Sequence, residues 1–321
     1  MALVRIENDL IKPGYLFAYM RSKYGRCQLD RLARPTEQFN INLEELGRVT
    51  ITVLPGQFQQ DVEDIISQSY EHQENASYYY RRAEDLLLEE LGLKDFDDGN
   101  DLFSIVQYRD IVTANRNDAE FYQTKYRKLK DRLKGKIKSL TSLIDAVQSN
   151  FDPIREPEKE FNYVELANIN SSIGIIDGSE RVIGKEAPSR ARRILKDGDV
   201  IVSSIEGSLE KVALVSKEQE GYLASTGFFQ FRSNKITSEV LLVLMKSIVM
   251  QWQLKQNCAG TILTAVPNEA LNKMYIPILP QPVKQKIADL VRKSHSARQK
   301  SKELLEEAKR KVEEMIEKGG E

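Results

Sequence analysis

The chain has 321 residues, and 47 lysines and arginines nearly balance 48 aspartates and glutamates, for a formal net charge of −1. That length allows about two domains with ample core, and the balance excludes any nucleic-acid face except one made by local segregation of charge. No apolar run approaches the ~20 residues of a membrane span, the N-terminus lacks a basic-then-apolar signal segment, and Cys27 and Cys258 form no spaced ligand set. A reduced, cytoplasmic protein with no membrane partner is expected.

In chain order, residues 3–6 read as a strand, and residues 14–29 carry apolar groups at helical spacing. Residues 49–53 (Val-Thr-Ile-Thr-Val) alternate as a half-buried strand does. After Pro55 a heptad begins: Val62, Ser69, Ala76 and Ala83 lie seven apart, with Ile65, His72, Tyr79 and Leu86 between them. Residues 93–100 end that helix with Gly and acidic turn residues and read as a linker. Residues 121–147 predict a helix whose front half is strongly basic, and 151–159 is a Pro- and Glu-rich connection. From Asn162 on, short alternating strands predict a twisted, mostly antiparallel sheet, clearest at 199–205, 212–216 and 228–231. Residues 188–196 predict a short basic helix, and 238–254 a packed one. Residues 274–278 form another strand, where Pro277 suggests an edge position. A second heptad then carries Ile287, Ser294, Ser301, Ala308 and Met315, with Leu290, Ala297 and Leu304 interleaved.

The two halves of this description are one description given twice. Residues 11–94 run in step with 236–319 at a constant offset of 225, without a gap: Met20 falls on Met245, Ser22 on Ser247, Gln28 on Gln253, Ile51 on Ile276, Pro55 on Pro280. Such a repeat is one supersecondary unit used twice. Two heptad helices in one chain favour a coiled-coil pair, antiparallel or parallel, and Ser and Ala along the seam permit close approach. At 1.5 Å per residue each helix would reach roughly 50 Å.

Signs of catalysis are sparse. The glycines form no phosphate-cradling loop. Asp199, Glu206, Glu210 and Lys211 alone resemble a nuclease set, but the adjacent Glu210 and Lys211 point to opposite faces of a strand. His72 and His295 both fall on the long helices, which leaves no nucleophile–His–Asp arrangement and no metal site. Polar and basic residues do gather in connections. Arg190, Arg192, Arg193 and Lys196 precede Ser203, Ser204, Glu206 and Ser208. Arg can fork onto guanine, Glu can accept from cytosine, and Ser reads either base less selectively. Segments 190–208, 225–227 and 255–262 are expected to converge on one DNA-facing surface, adding Thr226, Lys255, Gly260 and Thr261.

Several stretches resemble one family. Gly198-Asp199-Val-Ile-Val-Ser203-Ser204, Gly227-Phe-Phe-Gln-Phe, Gly260-Thr261, Tyr275-Ile-Pro277-Ile-Leu279-Pro280 with Gln285-Lys-Ile287, and the run from Arg116 to Tyr126 are similar to motifs of type I restriction-modification specificity subunits. The resemblance covers 101–318 as one complete target recognition domain plus helix, and 1–94 as the tail of another plus helix. It implies an α+β fold: a target recognition domain, mainly antiparallel twisted sheet with helices, plus two long helices pairing as an antiparallel coiled coil. The implied domains are 1–55, the C-terminal part of a first recognition domain; 56–93, the central helix; 94–283, the complete second recognition domain; and 284–318, the C-terminal helix. The first domain lacks the ~125 residues that would match 101–225, and Pro35-Thr36 stands where the second copy has Gly260-Thr261.

The implied role is non-catalytic. The chain would read a half-site of double-stranded DNA and position modification (methyltransferase) and restriction subunits. S-adenosylmethionine would belong to the partner methyltransferase, and no cofactor to this chain. A homodimer would read an interrupted palindrome. The alternative is an assembly or decoy protein that holds the modification subunits by its long helices without reading DNA.

Overall fold

The computed structural model describes residues 4–7, 9–33, 41–96, 101, 103–147, 150–260 and 264–319. The chain is α+β and divides into two compact units, Met1–Tyr78 with Ser294–Glu321, and Tyr79–Lys293. Pro35, Thr36 and Thr261 lie outside the described residues.

The first unit begins with α1 (Pro13–Arg21) and α2 (Lys23–Leu32), followed by the short α3 (Leu43–Leu46) and the 36-residue α4 (Gly56–Leu91). The helix expected over 14–29 is broken at Ser22, whose extended backbone interrupts it while its hydroxyl donates to the Tyr19 carbonyl at 2.6 Å. Tyr15, Ala18 and Tyr19 of α1 bury against Leu54, Val62 and Ile66, together with Ala308 and Val312 of the last helix. The Tyr15 and Tyr19 hydroxyls donate to the carbonyls of Thr52 (2.5 Å) and Thr50 (2.9 Å), so neither ring leaves a polar atom stranded. Gln28 clamps the backbone of Thr50 from both sides, accepting from its N–H at 2.8 Å and donating to its carbonyl at 2.9 Å.

The second unit contains α5 (Tyr108–Ala114), α6 (Thr124–Arg132) and three sheets. In chain order the strands are β1 (Ile137–Ser139), β2 (Asp145–Ala146), β3 (Glu160–Val164), β4 (Ile169–Asn170), β5 (Ile175–Ile176), β6 (Glu180–Ile183), β7 (Ala191–Ile194), β8 (Val200–Ser203), β9 (Val212–Leu214), β10 (Leu223–Ser225), β11 (Phe228–Arg232) and β12 (Tyr275–Pro277). They pair in the orders β6-β3-β10-β7, β2-β11-β8-β9-β5-β4 and β1-β12. Only β3–β10 and β5–β9 run parallel among these pairs. Central β8 is buried on both faces, which is why Val200-Ile201-Val202 is a continuous apolar run.

Two further helices, α7 (Ser238–Lys246) and α8 (Ile248–Asn257), lead through β12 to α9 (Gln281–Glu317). Gly174, at φ +68°, lets α7 come close: a Cβ there would stand 2.7 Å from a Leu242 methyl. The offset of 225 is repeated in the hydrogen bonds. Ser247 breaks the helix as Ser22 does, donating to the Leu244 carbonyl at 2.6 Å. Gln253 clamps Tyr275 as Gln28 clamps Thr50, at 2.8 and 2.9 Å.

Within the first unit α4 and α9 pair antiparallel. The Ser69 hydroxyl donates to the Ser301 carbonyl and meets the Ser301 hydroxyl, each at 3.0 Å, while the Ser294 hydroxyl donates to the Ala76 carbonyl at 2.7 Å. A rise of seven on α4 is thus a fall of seven on α9. Small side chains bring the backbones close enough for a hydroxyl of one helix to reach a carbonyl of the other. Val62, Ala76, Ile287, Leu304 and Ala308 are buried on these helices, whereas Ile65, Tyr79, Leu86, Leu290 and Met315 are half-buried. The deep interleaved positions fall one residue later, at Ile66, Tyr80, Leu87 and Val291. In the first unit the reason is visible: Ile66 turns toward α1, so the buried stripe is pulled off the pure two-helix seam.

Four local expectations need correction. The basic stretch 121–147 is helical only as α6, after which Gly135 (φ +82°) precedes β1 and β2. Residues 188–196 hold strand β7, because pairing with β10 overrides a helical pattern of single basic residues. Residues 49–53 and the described part of 3–6 form no strand. Their counterparts β12 and β11 do, since β1 and the pair β2 and β8 lie beside them.

Candidate nucleic-acid interface

Strand β8 enters one end of its sheet at Asp199 and leaves at Ser203, and these ends differ in chemistry. At the entering end Asp199 is fully buried. It accepts from Arg232 at 2.7 and 2.9 Å, from the Gln230 amide at 2.7 Å and from the Lys196 N–H at 2.8 Å. That carboxylate is saturated by a structural network. Glu210 is exposed, and the Lys211 ammonium donates to the Ile169 carbonyl at 3.2 Å, so these groups do not converge with Asp199. Among the described residues no group of His, Cys, Asp and Glu could hold a metal ion. His72 and His295 are half-buried on α4 and α9.

The leaving end gathers three connections. Ser204 donates its N–H (2.8 Å) and hydroxyl (2.9 Å) to the Gly227 carbonyl, and its own carbonyl accepts from the Val266 N–H at 2.8 Å. The Glu206 N–H donates to the Thr264 carbonyl at 3.0 Å, and Ile205 and Ala259 each bridge to Ala265. Thr226 donates its N–H to the Arg190 carbonyl at 2.8 Å. Hence 203–208, 226–227 and 259–266, with Arg190 at the start of β7, form one cluster held by backbone hydrogen bonds.

Side chains within it divide into braces and exposed groups. Ser203 is buried, meeting the Ser208 hydroxyl at 3.0 Å and accepting from the Ile205 N–H at 3.1 Å. Glu206 is ion-paired with Lys255, which holds its carboxyl below the usual range and pushes the Lys255 ammonium up. Arg192 is paired with Asp152 and donates to the Ser189 carbonyl at 3.0 Å. Arg193 is half-buried, with burial lowering its pKa, and donates to the Val147 carbonyl at 3.4 Å. Arg190, Thr226, Gly207 and Gly260 are exposed at the cluster. Gly260, at φ +125°, sits in a backbone region closed to other residues. Lys196 is exposed too, but it belongs to the Asp199 end of the sheet, a strand length away.

One brace was not foreseen. Arg116 bonds Asp118 at 2.6 Å, stacks 5.0 Å over the Phe121 ring and donates to the Cys258 carbonyl at 2.9 Å, so it steadies the start of the 258–260 turn. Its spacing to Asp118 is visible in the sequence, whereas its tertiary partner is 142 positions away. Beside it lies a cleft of about 470 Å³, lined in part by Tyr122, Arg127, Lys130, Gln256, Asn257 and Tyr275.

A duplicated cap-and-helix framework, with a sheet domain completed on one copy and a polar loop cluster at the end of that sheet, defines a scaffold class. Solved structures similar to this chain come from that class. One chain is from a structure of a type I restriction-modification system described for its assembly and conformational transition, 31% identical over 47% of this chain and 39% of that one, TM-score 0.41. A second is the HsdS subunit of Thermoanaerobacter tengcongensis, 29% identical over 48% of this chain and 40% of that one, TM-score 0.43. A third is the type I S subunit of M. genitalium, 12% identical over 96% of this chain and 74% of that one, TM-score 0.42. The structural neighbours of this chain are thus components of type I restriction-modification systems, S subunits among them. The chain spans less than half the length of the first two. No family model and no curated protein matches it. Among the described residues no helix is long and apolar enough to cross a membrane.

Proposed function

We propose that the chain is a sequence-specificity subunit of a type I restriction-modification complex. It reads one DNA half-site with the loop cluster at the Ser203 end of β8. Its paired helices position modification and restriction subunits, and it has no catalysis of its own. The observation that carries this reading is the meeting of 203–208, 226–227 and 259–266 at a single sheet end, braced from behind by internal ion pairs. Glu206, Lys255 and Arg192 act as braces, which leaves Arg190, Thr226 and the Gly207 and Gly260 backbone to approach a groove. Methyl transfer, with its S-adenosylmethionine, belongs to the partner.

The test is co-expression with the cognate modification subunits, followed by mapping of methylated genomic positions and by binding of the methylated sequence. Arg190→Ala should weaken binding about 5- to 100-fold if Arg190 reads a base, or lower the salt slope by about one if it meets phosphate. Unchanged affinity and slope would remove Arg190 from the interface. Co-purification with modification subunits but no methylated motif would make the chain an assembly protein that reads nothing.

A further inference from the structure

The internal repeat exposes a face in the first unit that its counterpart in the second unit buries. In the second copy Phe229, Phe231, Leu242, Met245, Met274 and Ile276 are at most 5% exposed. Position for position these are Val4, Ile6, Phe17, Met20, Val49 and Ile51 in the first copy. Val4 is 57% exposed and the other five are half-buried. All six line one cleft of about 660 Å³.

The second copy shows what such a face is built to receive. Phe229 pairs with Val202 of β8, and Phe231 with Ala146 of β2 and Val200 of β8. Helix α7 packs on β8 and β9. Ile276 pairs with Lys138 of β1. Every covering strand lies within 137–214, a stretch with no counterpart in the first copy. Residues 49–53 keep the strand-like alternation without a strand beside them, and the clamp of Gln28 on Thr50 already holds them in the arrangement that Gln253 imposes on Tyr275.

We propose that this face is the docking site for half of a recognition domain built like residues 101–226 and supplied by a second polypeptide. The incoming segment adds a strand antiparallel to 49–53, as β1 adds to β12, flanks 4–6 as β8 and β2 flank β11, and lays apolar sheet on α1. Strand addition supplies backbone hydrogen bonds and the apolar cleft supplies specificity. This inference rests on the repeat and not on DNA being the ligand.

As probe we would use tagged residues 101–226 of this sequence, co-expressed with the full 321-residue chain. A 1:1 complex is expected. It should be lost at least tenfold in the chain carrying Val4→Asp and Met20→Lys. In a Cys27→Ser background, Ile51→Cys in the chain and Lys138→Cys in the probe should crosslink on oxidation, and Thr52→Cys should do so far less. A parallel chain with 101–226 fused ahead of Met1 by a flexible linker covers failure of the separate probe to fold. Amide exchange of 49–53 should slow at least tenfold there relative to the 321-residue chain. No complex together with unslowed exchange overturns the proposal, as does a complex indifferent to Val4→Asp and Met20→Lys. Protection in the fusion alone, or a bridge between positions 51 and 138 of two full chains, would assign the face to a covalently attached segment or to a second copy and overturn the separate polypeptide.

Discussion

Two stretches of the molecule, 4–54 and 229–279, obey one plan with unequal results. Both break a helix at a serine, clamp a strand with a glutamine and end in Leu-Pro before a long helix. Only the second has sheet laid over it. The difference teaches that the framework holds its own backbone by local hydrogen bonds, whereas its burial depends on what packs on the outside.

That comparison can be broken most forcefully at the Met20/Met245 pair. Met245 is fully buried and Met20 half-buried. Met245→Ala should cost about 2–5 kcal/mol, and Met20→Ala about 1 kcal/mol or less. Urea unfolding followed by Trp252 fluorescence reports the first, and amide exchange at 15–20 the second. Equal costs would mean that the first face is covered after all.

A smaller contrast involves Arg21 and Lys246, again 225 apart. The Lys246 ammonium sits 4.0 Å over the Tyr80 ring and 3.3 Å from Glu84, with its side chain only 9% exposed, and burial lowers its pKa despite Glu84. Arg21 is exposed, 5.5 Å over Phe17. Lys246→Met should lower stability by about 1–2 kcal/mol through the lost cation–π contact and the deserted Glu84. Arg21→Met should stay within about 0.5 kcal/mol. Thermal unfolding of the two variants decides.

The smallest effect expected is in the pH profile of the loop cluster, which only the second copy has among the described residues. The folded pKa of Glu206 is lowered by Lys255, so the stability of the pair is present above the unfolded carboxylate value and drains away as pH falls through the folded one. The group is well solvated, so the contribution is small. Glu206→Gln should flatten the melting profile between neutral pH and about pH 3. An unchanged profile would show that the brace does not act.

Much of this was legible in the residues. An offset of 225 without a gap, heptads through Ser69 and Ser294, and polar residues gathered near 203–208 and 226–227 gave the two long helices and the meeting of the connections. The depth of the helical stripe was not legible, because Ile65 and Ile66 are equally apolar and only the neighbouring α1 chooses Ile66. Residues 188–196 were misread because strand pairing with β10 is a long-range term that local pattern does not carry. The division of the basic residues into braces and exposed groups was equally hidden, since Arg192 and Asp152 are 40 positions apart.

By itself, then, the order of residues determined periodicity, repetition and the places where the backbone must turn, for these depend on neighbours within a few positions. Tertiary structure decided which side of each helix is buried, which segments become strands and which charges are already neutralised, because each of those needs a partner distant along the chain.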